Sequence, residues 1–556
     1  MYVVLARSAR GITAVRLDDA AAQASPPENI ESADFAAWAA REERDRPRWV
    51  WDDTTRWYPA LLAAGVRVEK CVDLRLSHAL LRGSTLTATS GLATAPAGPW
   101  DTATPLADKP ETHGALFDFD DDPVADAPTD PVAEFALQRE AAASSDQPGR
   151  IGLLLAAESA GALIACEMKF AGLPWHVDVH ERLLADLLGD RPRGTERPAK
   201  LELLLERMRA VLGTHDVNPD SPAELLKALR RTGLQVASTR SWELQEVEHP
   251  VIEPLLEYKK LSRLQTANGW NWLDTWIADG RFRPDYVPGG TTTGRWGASG
   301  GGALQLPKQI RGAVIADPGW KLVVADAAQL EPRILTALSA DRAMADAGRG
   351  DLYEGIVASG AVKTRAEAKV AMLGAMYGAT SGDGGRLMPA LTRTFPRAIA
   401  VVEAAARVGE RGGIVTTRLG RSSPPPGEAW RELQEGASVP GASEALQRAA
   451  RGQSRSWGRF TRNFIVQGTA AEWALCWMAG LRGRLWDLRG GQFMNRPHLV
   501  FFLHDEVIVH TPAELADQVV EQLNAAASDA GRLIFGAMPV RFPITTAVVD
   551  NYAQAK

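Results

Sequence analysis

The stretch Leu499-Val-Phe-Phe-Leu-His-Asp-Glu-Val-Ile-Val-His510 is the one around which the rest of the chain is best read. Two apolar, β-rich runs flank His504, Asp505 and Glu506. A polar break between two strand-forming runs predicts a β-hairpin. A carboxylate at such a turn is fixed by the sheet yet reaches solvent, which suits a metal ligand that needs a rigid base. An ordinary hairpin reads the same way, so this stretch decides nothing alone.

A second stretch, Lys321-Leu-Val-Val-Ala-Asp326, is a buried-strand pattern that ends in a carboxylate. Strand ends are where functional groups of open sheets commonly lie. The following Ala327-Ala328-Gln329-Leu-Glu331-Pro-Arg333 predicts the start of a helix. Pro332 fits its first turn, where the missing N–H is not needed. Between the two stretches lies Thr364-Arg365-Ala-Glu-Ala-Lys369-Val-Ala-Met-Leu373-Gly-Ala-Met-Tyr377-Gly378. Thr364 and Glu367 make a capping box. Arg365, Lys369, Leu373 and Tyr377 follow at i, i+4 steps, so all four share one helix face. Two cations, an apolar residue and an aromatic on one face predict a nucleotide grip, the cations for phosphates and the flat part for a base. A pair of surface cations is the plainer alternative.

These stretches resemble motifs A, B and C of the family A DNA polymerases, the bacterial DNA polymerase I type. Motif A is Asp326-x-x-Gln329-x-Glu331-x-Arg333, motif B is Arg365-x-x-x-Lys369 with Tyr377-Gly378, and motif C is His504-Asp505-Glu506. Thr293-Gly294-Arg295 before motif A and Arg459-x-x-x-Asn463-x-x-x-Gln467 before motif C also match, in the family's order. Short actinobacterial members described as bifunctional exonuclease/polymerase look most alike. The resemblance is clear from about Leu153 onward and faint before it.

The resemblance implies an α+β multidomain chain with the right-hand polymerase fold. Residues 1–150 would be a degenerate, ribonuclease-H-like 3′–5′ exonuclease domain plus linker. Residues 151–280 would form the helical thumb, 281–345 the first part of the palm with motif A, 346–462 the fingers, and 463–556 the second part of the palm. Asp326 and Asp505 would hold two Mg²⁺ ions, with the Ala327 carbonyl as a third ligand and Mn²⁺ as a substitute. Lys369 and Arg365 would bind the triphosphate, and Lys369 could protonate the pyrophosphate leaving group. Glu331 and Tyr377 would close the space that a 2′-hydroxyl needs. Gln329, Leu373, Arg295, Arg459, Asn463, Gln467, His504 and Glu506 would contact nucleotide, primer or nascent base pair. Lys259, Lys260 and Arg263 would meet duplex phosphates. The implied partners are primer–template DNA and dNTPs, met by a monomer in the cytoplasm near the nucleoid.

The sequence departs from the family pattern in places. Ala327-Ala328 replaces Tyr-Ser, Leu373 replaces an aromatic, and Tyr353 replaces a His. Gly302-Ala-Leu-Gln305 lacks the usual Asn before Gln. In the N-terminal part, Met1–Asp18 supplies no Asp-x-Glu strand. The second exonuclease Asp aligns near Arg56 or Trp57, with Asp52 and Asp53 out of register, and Tyr-x-x-x-Asp is absent around Phe135–Asp146. Exonuclease activity is therefore not expected, nor does the sequence contain an obvious 5′-nuclease domain. A phage-type single-subunit RNA polymerase and a catalytically silent DNA-binding protein that keeps the fold remain the alternatives.

Composition agrees with several domains, because single cores rarely exceed about 250–300 residues and the chain has 556. There is no unbroken apolar run of about 18 residues, so no membrane span is expected. Three distant cysteines, Cys71, Cys166 and Cys476, predict a reduced protein without a zinc pattern. The net charge is −6, but residues 363–466 carry 16 Lys+Arg against 8 Asp+Glu. Local field, not total charge, steers a polyanion.

Locally, strands are expected at the N-terminus, at Arg48–Trp51 and after Val66–Glu69, and a short one at Trp175–Asp178. Helices are expected at Thr55–Ala64, Val72–Leu81, Ile151–Phe170, His180–Leu188, Lys200–Leu212, Ser221–Arg231 and within His249–Ile277. Ala93–Asp146, with the acidic run Asp118–Asp122, reads as a linker. Ser422–Gly452 reads as an insertion with a proline-rich start and a charged helix.

Overall fold

The computed structural model describes residues 1–8, 11–101, 130–194, 196–214, 216–299, 301–302, 304, 306–378 and 382–555. Gln305 and the acidic run Asp118–Asp122 lie outside the described residues. The chain divides into two compact units. One contains Met1–Ala171, Asp285–Gly300 and Gly319–Val548, and the other Gly172–Pro284, Gly301–Pro318 and Val549–Lys556.

The first unit begins with a five-stranded sheet, β1 (Tyr2–Ser8), β2 (Gly11–Leu17), β3 (Glu28–Ile30), β4 (Arg48–Trp51) and β5 (Lys70–Asp73). Its order is β3-β2-β1-β4-β5. The first three strands are antiparallel, and β4 and β5 run parallel to β1, a ribonuclease-H-like arrangement. Trp49, Trp51, Tyr58 and Leu61 fill the core on one face. Helix α1 (Thr54–Ala63) starts at Asp53, whose side chain accepts from Thr55 N. Helix α2 (Leu74–Gly83) starts at Asp73, whose side chain accepts from Leu76 N. The helix expected over Val72–Leu81 thus begins two residues later, because Asp73 ends a strand and caps the helix.

The expected linker also needs correction. Pro131–Ala143 is a helix, α3, capped by Asp130. Its Glu134 and Gln138 are buried, with Glu134 bonded to His78 and Gln138 to the Leu74 carbonyl. A segment rich in Ala, Pro and Asp conceals this, because the partners lie some sixty residues earlier. Helix α4 (Pro148–Ala171) packs on β5 and α1 within the same unit, so the division expected at residue 150 falls inside a helix. Contrary to expectation, α4 is long and apolar enough to cross a membrane, but 72% of its apolar window is buried in the protein.

A second sheet carries the motifs. It contains β6 (Trp320–Ala327), β7 (His498–Leu503), β8 (Glu506–Pro512) and β9 (Ile544–Val549), in the order β7-β8-β6-β9. β7 and β8 form the expected antiparallel hairpin, with a register shift between Leu499 and Phe501. Around the sheet lie α5 (Leu330–Ser339), α6 (Leu352–Ala358), α7 (Arg365–Tyr377), α8 (Pro396–Glu410), α9 (Glu428–Ser438), α10 (Glu444–Asp487) and α11 (Ala516–Phe535). The 44-residue α10 packs against α8 and α11. It runs unbroken through the boundary expected at 462/463 and through the C-terminal part of the expected insertion. A buried ionic cluster ties α10 to α4 and α1: Arg482 holds both oxygens of Glu167 (2.9 and 2.7 Å), and the Tyr58 hydroxyl donates to the same carboxylate (2.6 Å).

The second unit is largely helical, with Val177–Leu188, Ala199–Leu212, Pro222–Arg231, Ile252–Asn268 and Trp270–Trp276. A small sheet joins Leu173–Pro174, Arg281–Phe282 and Ile277–Ala278. The strand expected at Trp175–Asp178 is Leu173–Pro174 instead. Trp175 N still bonds to the Gly280 carbonyl, but helix begins at Val177. Lys259, expected at DNA phosphates, donates to the Thr239 carbonyl.

Candidate active site

The two motif aspartates are 179 residues apart in sequence, and strand pairing unites them. Leu322, Val323, Val324 and Ala325 are buried against Val507–Val509 of β8. Consecutive strand residues point to opposite faces, so this strand pair is buried on both faces of the sheet. In this register Asp326 pairs with Glu506, and Ala327 N donates to the Asp505 carbonyl (3.0 Å). Directly opposed residues of an antiparallel pair share a face, so Asp326 and Glu506 lie on one side with Asp505 at the adjoining turn. Glu506 is buried, and Asp326 and Asp505 are half-buried. His504 holds φ +59° at the first position of the two-residue turn, a conformation tolerated by His but usually given to Gly.

Helix α7 is tied to α5, the helix that follows β6, by a bond from Tyr377 to Glu331. Thr364 Oγ accepts from Glu367 N (3.1 Å), and Glu367 Oε2 accepts from Lys363 N (2.8 Å), so the expected capping box forms. Ala368, Ala371, Met372, Ala375 and Met376 are buried, and Arg365, Lys369, Leu373 and Tyr377 are exposed together. Arg365 pairs with Asp351 (2.8 Å) and lies over the Tyr353 ring (5.4 Å). Burial opposes ionisation of Asp351, yet the bond from Arg365 holds its carboxyl below the usual range. Among the described residues Lys369 has no ion-pair partner.

The Tyr377 hydroxyl donates to Glu331 Oε2 (3.1 Å) and accepts from Gln467 Nε2 (2.9 Å). Burial raises the Glu331 carboxyl and the Tyr377 phenol; the charge of Arg295 works against both shifts. Burial, then Arg295, pushes His504 below the ordinary imidazole value. Arg295 therefore lies within electrostatic reach of Glu331, Tyr377 and His504. Its loop is shaped by Gly294 at φ +82°, where an added Cβ would run into the Arg421 guanidinium. Arg421 in turn pairs with the buried Glu158 of α4. Gly378 ends α7 at φ +75°, and the side chain of Arg459 lies against it. Asn463 is half-buried, and its Oδ1 finds no hydrogen-bond partner among the described residues.

Two sequence expectations look different in three dimensions. Gln329 sits in the left-handed region at φ +57°, and its side-chain oxygen accepts from Leu352 N (2.9 Å) and Arg333 (3.2 Å). That oxygen is thus committed to the scaffold. Ala327 is buried, Ala328 N donates to the Pro543 carbonyl, and the Ala328 carbonyl accepts from Arg333. The backbone after Asp326 is therefore held without the Tyr-Ser pair.

Among the described residues no group of three or more His, Cys, Asp or Glu side chains is placed to hold a metal. A pair of carboxylates at one sheet end suits Mg²⁺, which takes one or two carboxylates and fills its octahedron with waters and substrate phosphates.

A family model for DNA polymerase family A matches residues 194–554. The chain belongs to this family. Among its relatives is the thermostable DNA polymerase I of Thermus thermophilus, 26% identical over 351 residues, which cover 57% of this chain and 38% of that protein. DNA polymerase I of Chloroflexus aurantiacus is 24% identical over 346 residues, 56% of this chain and 34% of the relative. The chain thus spans little more than a third of the length of these curated relatives. The solved POL domain of Pol1 from M. smegmatis, in complex with DNA primer-template and dNTP, matches with a TM-score of 0.66 at 18% identity, covering all of this chain and 95% of that one. At that identity the match speaks for the fold, the α+β polymerase fold of family A.

Sequence reasoning passed over one residue of this family A site. Arg333 is almost fully buried and donates to the carbonyls of Ala328, Gly348, Gly350 and Arg541. It clamps the turn after Asp326 to two distant loops. Its place in motif A was visible, but nothing in the sequence announces that its acceptors are backbone carbonyls.

Proposed function

We propose that this chain is a template-directed DNA polymerase that adds dNTPs to a primer 3′ end. The observation that carries the reading is the pairing of β6 with β8, which brings Asp326 and Asp505 to one end of the sheet, together with the exposed cation–tyrosine face of α7. The reaction is an in-line attack of the primer 3′-hydroxyl on the α-phosphorus, with pyrophosphate leaving. Asp326 and Asp505, with the Ala327 carbonyl, would hold two Mg²⁺ ions, which when bound stabilise the charge on the attacking and leaving oxygens.

The protein's own residues do the rest. Lys369 meets the triphosphate tail directly and is placed on α7 to give a proton to the leaving pyrophosphate. Arg365 first exchanges Asp351 for phosphate, an exchange favoured because both side chains are exposed and water screens a surface pair. The N-terminus of α7 adds favourable potential for the anion. The Glu331–Tyr377 bond closes the floor below the sugar, leaving a 2′-hydroxyl neither space nor partner. Gln467 fixes the Tyr377 ring for that task. Arg295, Arg459, Asn463 and His504 contact the primer end and nascent pair.

The first sheet serves this reading as a scaffold without 3′–5′ exonuclease activity. β1 contains no acidic residue and brings Arg7 to the Trp57 ring. Asp52 pairs with Arg56, and Asp53 with Arg75. Asp73 accepts from Thr54 N, Thr54 Oγ and Leu76 N.

Primer extension with Mg²⁺ tests the function, with dNTPs compared with rNTPs beside Asp505→Ala. Extension by dNTPs that the substitution abolishes is the expected result. Bound but unextended primer–template would hand the case to a silent DNA-binding protein, and preferred rNTP use to an RNA polymerase.

A further inference from the structure

The loop that carries Arg295 is held by residues outside the polymerase motifs. Thr291 N and Oγ donate to the Arg295 carbonyl (3.1 and 3.0 Å), and Gly294 N donates to the Thr291 carbonyl (2.8 Å), so residues 291–295 close into a tight turn. Trp296, the next residue, is buried against Tyr286 and Phe502, with ring centroids 5.1 and 5.3 Å away. The Tyr286 hydroxyl in turn bonds to both the carbonyl and the N–H of Phe502 in β7 (2.6 and 2.9 Å). The Arg295 side chain is exposed, and among the described residues its guanidinium has no ion pair or hydrogen bond. Its aim therefore depends on where the turn sits.

Arg421 sets that place. Its guanidinium lies against Gly294, which at φ +82° has no room there for a Cβ. Glu158 of α4 pairs with it, and the two side chains are only 12% and 2% exposed. Arg421 belongs to a hairpin in which Thr417 N donates to the Arg421 carbonyl (2.8 Å) and Ser423 N to the Val415 carbonyl (2.9 Å). That hairpin is seated on the segment after α2. Ser84 Oγ donates to the Gly420 carbonyl (2.6 Å), and Thr85 N to Ser422 Oγ (2.9 Å). It also meets α10, where an added Cβ at Gly468, beside Gln467, would strike Thr417. Three residues after Glu158, Gly161 lets α4 close on Trp296 and on Leu475 of α10.

Stability does not account for the pair. Glu158 Oε2 and Arg421 Nε are buried without a hydrogen-bond partner among the described residues. In a buried ion pair desolvation offsets much of the attraction, and each unpaired polar atom lowers stability further. What the pair supplies is a fixed, planar group under a glycine, whose missing side chain permits the close approach.

We propose that Arg421, seated by Glu158, is a positioning residue for the polymerase reaction, fixing the turn at Gly294 and with it the reach of Arg295 to the primer end. The proposal rests on the polymerase reading and gives α4, the helix packed on the first sheet, a part in it.

A double-mutant cycle tests it, with single-turnover insertion on prebound primer–template as the readout. The variants are Arg421→Gln, Glu158→Gln and Arg295→Ala, alone and in pairs. Arg421→Gln should lower the rate at saturating dNTP about 10-fold, since a 1 Å misplacement far from the chemistry can cost on the order of 10²-fold. The KM for dNTP should stay within about 2-fold, because Arg365 and Lys369 are untouched. In the Arg295→Ala background neither Gln variant should slow insertion further. A 2-aminopurine base at the primer 3′ terminus should change in fluorescence with Arg421→Gln as it does with Arg295→Ala. Losses that simply multiply in the double variants would overturn the proposal and leave Arg421 a structural residue. An unchanged rate would overturn it as well. If Arg421→Gln melts below the assay temperature, the Glu158→Gln cycle decides by the same criteria. In each case insertion by the wild type leaves the polymerase reading standing, whereas a wild type that inserts nothing overturns both.

Discussion

Two sheets of one compact unit place aspartates at or beside strand ends, and the aspartates meet opposite fates. In the first sheet, Asp53 and Asp73 end up as helix caps, with arginine or threonine filling the remaining oxygens. In the second, Asp326 precedes α5, whose N-cap Gln329 makes no side-chain cap bond, and Asp505 sits in a hairpin turn. Neither caps a helix. The difference teaches that a carboxylate at a strand end becomes a helix cap where a helix starts directly on it, and that the element which follows decides this. In the first sheet the helix starts one or three residues after the strand and takes the carboxylate. In the second the chain turns through left-handed residues, Gln329 and His504, and no helix starts on either aspartate.

The comparison breaks most visibly if the second sheet proves to be structural. Asp326→Asn should lower primer extension on the order of 10³-fold, about 4 kcal/mol of barrier, with the melting temperature unchanged. A large fall in melting temperature with residual extension would count against the assignment. The converse applies to the first sheet. Asp73→Ala should cost about 2–3 kcal/mol of stability through a lost cap and unsatisfied donors, read by denaturant melts. Extension well below the melting point should stay at the wild-type rate, and no 3′ degradation should appear or vanish.

A smaller effect sharpens the contrast within the helices. Glu167 and Glu472 are both buried, but Glu167 faces Arg482 and Arg67. Burial opposes its ionisation, yet the two arginines hold its carboxyl below the usual range. Burial instead pushes Glu472 up to about 7, despite bonds from Thr417 and Leu419 N. A folded value above the unfolded one near 4.3 means that folding binds a proton. The resulting stability is fully present below about pH 4 and is lost as pH rises through about 7. Between pH 5 and 8 this amounts to on the order of 2 kcal/mol. Glu472→Gln should flatten the fall in melting temperature over that range; an identical slope would show that Glu472 ionises freely in the fold.

The hairpin, the capping box at Thr364 and the shared face of Arg365, Lys369, Leu373 and Tyr377 were legible because each rests on residues a few positions apart. Less legible was α3, whose buried Glu134 and Gln138 are satisfied by His78 and the Leu74 carbonyl. Gln329 was read as a contact to the nascent pair because its motif position says so, but its oxygen is taken by Leu352 N, 23 residues later. The apolar α4 conceals two buried glutamates whose arginine partners, Arg421 and Arg482, lie hundreds of residues away.

Sequence alone determined the motif hairpin, the cap at Thr364 and which side chains share that helix face, since periods of two and 3.6 residues and local hydrogen bonds act within a few positions. Tertiary structure decided which carboxylates meet and which are consumed. Asp326 and Asp505 adjoin because β6 pairs with β8 in the register that sets Asp326 opposite Glu506. The side chains that surround them, Glu331 to Tyr377 to Gln467, are joined by hydrogen bonds spanning 46 and 90 residues. Such bonds form only after the chain has closed those loops, so no local pattern can announce them.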